Sequence, residues 1–107
     1  MNYKNAIRHG DIMLHPLKDA PKGLKKIQQG KQYVLAIGEH TGHKHLLVAD
    51  RVSVHKDEQG VIYLNINGTA IVTHEEHKQI SVVPGWYRLG NEREFDYYLG
   101  EIAQVQD

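Results

Sequence analysis

The chain contains no cysteine, and this absence removes two common ways of stabilising a small domain. Neither a disulfide framework nor a thiolate metal site can form. Imidazole and carboxylate are then the only strong metal ligands that the sequence offers. Any metal site in this protein is therefore expected to be of the nitrogen and oxygen type.

Long apolar runs are also missing. No stretch approaches the roughly twenty apolar residues that a membrane-spanning helix needs. The N-terminal segment MNYKNAIRHGDIMLH lacks the apolar run of a signal peptide. We therefore expect a cytoplasmic protein that has no membrane partner.

Neither sign of charge is in excess, because thirteen Lys and Arg residues balance thirteen Asp and Glu residues. A chain with no net field is a poor attractor of anionic polymers, so nucleic acid is disfavoured as a partner. A small molecule or a nucleotide is the expected ligand class. The length allows one domain with one core, residues 1–107, which folds alone or as a homodimer.

The sequence is rich in short β-branched and aromatic runs separated by Gly, Pro, Asn or Asp, which is typical of an all-β module. Closure of many short strands would hide their edges, so we expect a small antiparallel β-barrel, either cupin-like or SH3-like. At most one or two short helical turns are expected, one of them in PKGLKKIQ. The predicted strands are 11–17, 32–38, 43–49, 52–56, 61–67, 69–74, 79–84 and 85–90.

The segment VIYLNINGTAIVTH, residues 61–74, predicts a hairpin. Asn67 and Gly68 lie between two alternating runs, and both tolerate the positive φ angles of a type I′ turn. KDEQG, residues 56–60, predicts the preceding turn. The expected core-facing set on this segment is Ile62, Leu64 and Ile66.

Aromatic residues are concentrated near the C-terminus. Each large ring buries about 150 Å² or more when packed, so we expect this stretch to pack at least partly on the barrel. The aromatic residues concerned are Trp86, Tyr87, Phe95, Tyr97 and Tyr98.

EHTGHKHLLVAD, residues 39–50, places three histidines in six positions. His43 and His45 would project from the same face of a strand with Cβ atoms about 7 Å apart. Gly42 permits a turn that brings His40 over that face. Two or three imidazole nitrogens could then converge on one ion.

A second group, THEEHKQI, follows about thirty residues later. Thr73 and Glu76 form a capping-box pattern, which would place His74 and His77 on one side of a helical turn. We predict that His40, His43 and His45 share a site with His74 or His77.

The expected cofactor is a divalent transition metal, with Zn favoured and Ni, Mn or Fe as alternatives. Three imidazoles would leave a coordination position open for water, and Glu75 or Glu76 would accept a proton from that water. This chemistry predicts a metal-dependent hydrolase that acts on a small molecule or nucleotide.

Two other interpretations stay open. A structural metal could lock the loops together, or the protein could be a non-enzymatic binding or accessory module, of host or phage origin, whose histidines are structural or face solvent. A binding module would expose an aromatic patch. Outside the two clusters, the histidines interpreted as structural or surface residues are His9, His15 and His55.

The HxH pair His43 and His45, followed by the acidic Asp50 and a later PG turn, resembles the cupin metal-binding pattern. The resemblance implies that both histidines bind the metal, with a further ligand from His74 or His77. The layout GDIMLHPL, GEHTGHKH, THEEH and PGWYRL is also similar to small uncharacterised proteins of bacteria and their phages. That resemblance implies no known activity.

Overall fold

The structure is a computed structural model that describes residues 6–9, 12–37, 44–74 and 78–91. Those residues form strands, turns and extended segments and contain no helix, so the all-β prediction is confirmed. The seven strands are β1 (Ile7–His9), β2 (Ile12–Leu17), β3 (Lys25–Ile37), β4 (Lys44–Lys56), β5 (Ile62–Thr73), β6 (Ile80–Val82) and β7 (Gly85–Asn91).

All strand pairs are antiparallel and belong to one sheet, in the order β1-β2-β7-β5-β4-β3. The strand β6 lies off this path and pairs with β5. The first half of β5 pairs with β7, and its second half pairs with β6. Within the described residues the path ends at β1 and at β3, so the sheet is antiparallel but is not closed into the barrel that the sequence predicted.

The core lies on one face of this sheet, because alternate residues of each strand point to the same side. Val52, Val54, Leu64 and Ile66 are each at most 1% exposed, as the alternation along residues 61–67 predicts. Ile62 packs against the edge of this core. The predicted core-facing set of the segment is therefore confirmed.

The predicted hairpin turn at Asn67 and Gly68 is wrong, because β5 runs through both residues as one strand. A type I′ turn needs positive φ at both central positions. Only Gly68 has one, at 76°, and among the described residues no residue other than glycine has a positive φ. Asn67 pairs with Arg51, and Gly68 and Thr69 form an irregularity in the β4–β5 ladder opposite Asp50, whose carboxylate accepts a hydrogen bond from Thr69 N at 2.8 Å.

The true turn between β4 and β5 is the one predicted at KDEQG. Asp57 N donates to Val61 O at 3.1 Å, and Gly60 N donates to Asp57 O at the same distance. The Asp57 carboxylate also accepts hydrogen bonds from Gln59 N and Val61 N. An aspartate that bonds to backbone amides of its own turn stabilises the reversal.

The strands β3, β4 and β5 are longer than the sequence predicted, whereas β6 is shorter. Segments 43–49 and 52–56 join into the single strand β4, and PKGLKKIQ contributes to β3 and contains no helical turn. Bulges explain the apparent breaks, since one extra residue shifts the hydrophobic alternation without ending the strand. Register shifts of this kind occur three times between β3 and β4.

The aromatic prediction is confirmed where the structure describes the chain. Tyr87 is buried, and its hydroxyl donates to Val83 O at 2.5 Å. Trp86 is half-buried. The remaining three aromatic residues, Phe95, Tyr97 and Tyr98, lie outside the described residues.

Candidate metal centre

Three imidazoles from distant parts of the chain meet at one end of the core. His9 ends β1, His45 is the second residue of β4, and His74 directly follows β5. The ring centroids are 5.2 Å apart for His9 and His45, 4.3 Å for His45 and His74, and 6.2 Å for His9 and His74. We call these three residues the histidine cluster.

Each member of the histidine cluster shares a face of the sheet with a core residue. Residues two apart on a strand, and residues directly opposite on paired strands, point to the same side. The histidines therefore lie on the core side of the sheet. The pairs are His45 with Leu47, His74 with Val72, and His9 with Ile12.

The contact between His9 and His45 requires a strongly curved sheet. Three strands separate β1 from β4, so on a flat sheet these strands would lie about 19 Å apart, at about 4.8 Å per step. Their Nδ1 atoms are 3.0 Å apart. The two halves of the sheet therefore curl towards each other over the core. The end of β1 also contacts Lys78, because His9 Nε2 is 3.0 Å from Lys78 O.

The hydrogen bonds assign the protons of these rings. A carbonyl oxygen can only accept, so His9 Nε2 carries the proton that it donates to Lys78 O. In a neutral His9 ring Nδ1 is then an acceptor, and His45 Nδ1 donates to it. Both rings are almost fully buried, at 5% and 6% exposure, which favours their neutral forms.

The assigned tautomers give the two rings different chemical roles. His45 carries its proton on Nδ1, so the lone pair of the neutral ring lies on Nε2. Histidines that bind metals commonly donate their other N–H to an oriented acceptor, which fixes the ring and raises its basicity. His45 has that acceptor in His9, and the ring of His74 lies next to it.

The structure brings together two of the predicted metal ligands, His45 and His74. The other predicted ligands, His40, His43 and His77, and the predicted proton acceptors Glu75 and Glu76 lie outside the described residues. Within the part of the chain that the structure describes, no group of three or more His, Asp or Glu side chains could hold a metal ion. The described residues thus offer a pair of candidate ligands and a histidine that orients one of them.

Sequence reasoning missed His9, which was interpreted as a structural or surface residue. It lies 36 positions from His45, so no short-range spacing connects the two. Its sequence context, Arg8-His9-Gly10-Asp11, carries no ligand pattern. Only the curvature of the sheet brings it to the cluster.

The other two histidines of the described chain lie on the opposite face of the sheet. His15 is 2% exposed and pairs across strands with Arg88. His55 Nε2 is 2.9 Å from the hydroxyl of Ser53, and its ring lies 4.9 Å from that of Trp86. Neither residue belongs to the histidine cluster.

The curved antiparallel sheet with a histidine cluster at one end of its core defines an all-β protein with a candidate metal centre. The chain belongs to the family described as a domain of unknown function, DUF8820, whose model matches residues 8–92. That span runs from β1 through β7 and includes all three clustered histidines. The cupin-like pattern of the HxH segment stays a prediction.

No curated protein and no solved structure matches the chain. The described part of the chain contains no helix that is long and apolar enough to cross a membrane.

Proposed function

We propose that this protein binds a divalent transition metal at the histidine cluster, with His45 and His74 as ligands and His9 as the residue that positions His45. The observation that carries the proposal is the chain of hydrogen bonds from Lys78 O through His9 to His45 Nδ1. It leaves the His45 lone pair on Nε2 and holds the ring in one orientation. A ring prepared in this way is suited to bind a metal.

The metal is proposed to be zinc, with nickel, manganese or iron as alternatives, because neutral imidazole is the dominant ligand type and cysteine is absent. A zinc site needs at least three protein ligands at Zn–N distances of about 2.0 to 2.1 Å. We propose that His40, His43 or His77 completes the set. That part of the proposal rests on their sequence spacing.

A metal with three protein ligands keeps a position for water, and bound water loses a proton near neutral pH. We propose hydrolysis of a small molecule or nucleotide as the activity, with Glu75 or Glu76 as the proton acceptor. The support is the composition of the cluster and the two carboxylates that follow His74 directly in the sequence.

Zinc titration of protein purified without a histidine tag tests the metal site. Stoichiometric binding is expected for the parent, and His45→Ala and His74→Ala are expected to abolish it. His9→Ala removes the positioning partner and should weaken binding about 10- to 100-fold. His55→Ala, which removes a histidine of the opposite face, is the matched control and should bind as the parent does.

Acid should also weaken zinc binding. Protonated imidazole cannot bind a metal, so the affinity is expected to fall as the pH drops below about 6.5. Circular dichroism of every variant separates loss of the site from loss of the fold. A folded His45→Ala protein that binds zinc as tightly as the parent would contradict the proposal.

One observation favours a second candidate function, a binding or accessory module with a purely structural histidine cluster. The Nδ1 atoms of His9 and His45 already form a hydrogen bond with each other, and both rings are buried. In that case the parent would bind no zinc, and His45→Ala would lower the free energy of unfolding by about 1 to 3 kcal/mol because His9 loses its buried partner.

A further inference from the structure

The side of the sheet opposite the core carries two rows of aligned side chains. Residues paired across adjacent antiparallel strands point to the same face, so each row can be followed from β3 through β4 and β5 to β7. We call these eight positions the outer face. The rows are Lys26, His55, Tyr63 and Arg88, and then Gln29, Ser53, Asn65 and Trp86.

The outer face is cationic although the chain as a whole is neutral. Lys26 and Arg88 stand at the two ends of the first row, and none of the eight positions is acidic. Arg51, which precedes Ser53 by two positions and is exposed, continues the same side of β4. The nearest carboxylate in the turn after β4 belongs to Asp57, which accepts hydrogen bonds from its own turn and from Tyr63 OH at 3.4 Å.

An aromatic side chain lies within this cationic surface. The Trp86 ring is half-buried and tilted by 51° against the His55 ring, at a centroid distance of 4.9 Å. His55 is in turn held by Ser53 at 2.9 Å. Burial, together with the nearby charge of Lys26, lowers the pKa of His55, which favours a neutral ring beside the indole. The indole is thus fixed in place while part of it stays accessible.

The dimensions of the outer face fit a short stretch of an extended polymer. Three strand spacings separate Lys26 from Arg88, or about 14 Å, and the two rows lie about 7 Å apart along the strands. Proteins that bind single strands combine basic side chains along the backbone path with aromatic rings on which bases stack. Sheet faces with exposed aromatics are one established way to build such a surface.

We propose that the outer face and the adjoining Arg51 bind single-stranded nucleic acid, with a base stacked on Trp86 and backbone phosphates near Lys26 and Arg51. Gln29 and Asn65 lie in the same row as Trp86 and supply hydrogen-bonding groups without a fixed charge. A duplex keeps its bases stacked on each other, so it cannot use the indole in this way. The proposal is independent of the metal site, which lies on the core side of the sheet.

The test is a fluorescence titration with an oligothymidylate of about twelve nucleotides, a length within the usual site size of such proteins. Trp86 is the only tryptophan of the chain, so quenching of its emission reports on the outer face alone. Quenching at low salt is expected, with an affinity that falls as salt rises. The duplex of the same strand with oligoadenylate should bind more weakly.

Two variants and a matched control locate the site. Trp86→Ala, followed by anisotropy of a labelled oligonucleotide, should weaken binding about tenfold. Lys26→Ala changes an exposed side chain, should weaken binding several-fold, and should reduce the slope of log affinity against log salt by about 0.7. Lys22→Ala removes the same charge from the turn between β2 and β3, is exposed, and should bind as the parent does.

Three results would overturn the proposal: no binding by the parent at low salt, equal losses in Lys26→Ala and Lys22→Ala, or equal affinity for the duplex. Circular dichroism checks the fold of Trp86→Ala, and Lys26→Ala keeps the test informative if that variant unfolds. His45→Ala should retain full oligonucleotide binding while it loses zinc, so failure of one proposal is distinguishable from failure of the other.

Discussion

The two faces of the sheet use the same strands for opposite purposes. On the core side of β5, Leu64 and Ile66 are fully buried, while their neighbours Tyr63 and Asn65 lie on the outer face. The alternation of a strand forces this division, because each side chain points away from the one before it. One sequence pattern therefore specifies a core and, at the same time, a polar surface whose charge the core does not constrain.

The histidines show what the division means for chemistry. His9 and His45 on the core side are buried against each other, whereas His55 contacts a serine and a tryptophan on the outer face. A buried imidazole is kept neutral and oriented, which suits a ligand. The imidazole of His55, which lies beside an indole and near a lysine, is instead part of the outer face. The role of a histidine in this protein therefore depends on the face of the sheet that it occupies.

The largest expected effect is on the free energy of unfolding, when adjacent residues on the two faces of β5 are replaced by alanine. Leu64→Ala should lower the free energy of unfolding by about 2 to 5 kcal/mol, because it opens a cavity in a fully buried position. Asn65→Ala, one residue further and on the outer face, should change it by no more than about 0.5 kcal/mol. Urea denaturation measures both, and similar losses would contradict the assignment of faces.

The sequence could predict the core of this fold because the hydrophobic alternation is local. Ile62, Leu64 and Ile66 were identified from period-two spacing alone, and the turn at KDEQG from its polar residues and glycine. Strand continuity was harder to predict. A bulge and a turn share the same sequence signal, a glycine between two alternating runs, because both can use a positive φ at that glycine. Asn67 and Gly68 therefore predicted a reversal at a point where β5 continues as one strand.

The candidate site was only partly predictable, for a different reason. His45 and His74 stand in conspicuous local clusters, but His9 reaches them only because the sheet curves. Curvature arises from the twist of the strands and from several bulges acting together, and no short segment encodes it. The charge of the outer face could not be predicted from the sequence either, because a net charge of zero does not reveal how charges are divided between the two faces of a sheet.

A second, smaller effect is expected at the bulge that separates the two halves of β5. In Gly68→Ala a Cβ atom would lie 2.7 Å from Asp50 Cβ and close to the Asp50 carboxylate, at a φ of 76° that alanine rarely adopts. The free energy of unfolding should fall by about 1 to 3 kcal/mol. This change would show that the local conformation at Gly68 contributes to the stability of the fold.

Gly30→Ala is the matched control for this position. Gly30 also lies beside an irregularity, in β3, but an added Cβ meets no atom within 4 Å and the φ is not positive. Its effect should lie within about 1 kcal/mol of zero. If both alanines proved equally mild in thermal unfolding, Gly68 would be an ordinary strand residue and the bulge would not constrain the fold.

The smallest effect is expected at His55 on the outer face. Its pKa is lowered from the ordinary value of 6.5, first by partial burial and then by the charge of Lys26. The unfolded chain therefore takes up the proton before the folded chain does. The resulting contribution to stability is present above about pH 6.5 and is lost as the pH falls through the folded-state pKa.

Titration of the imidazole by NMR measures this pKa directly. In the parent it should lie below 6.5, and Lys26→Gln should raise it, because a neutral side chain no longer disfavours the imidazolium. Lys22→Gln removes an exposed lysine from the turn between β2 and β3, outside the outer face, and should leave the pKa unchanged. Equal shifts in both variants would mean that His55 senses only the total charge of the protein, whereas a shift confined to Lys26→Gln would show that the cations of the outer face act locally on the ring that contacts Trp86.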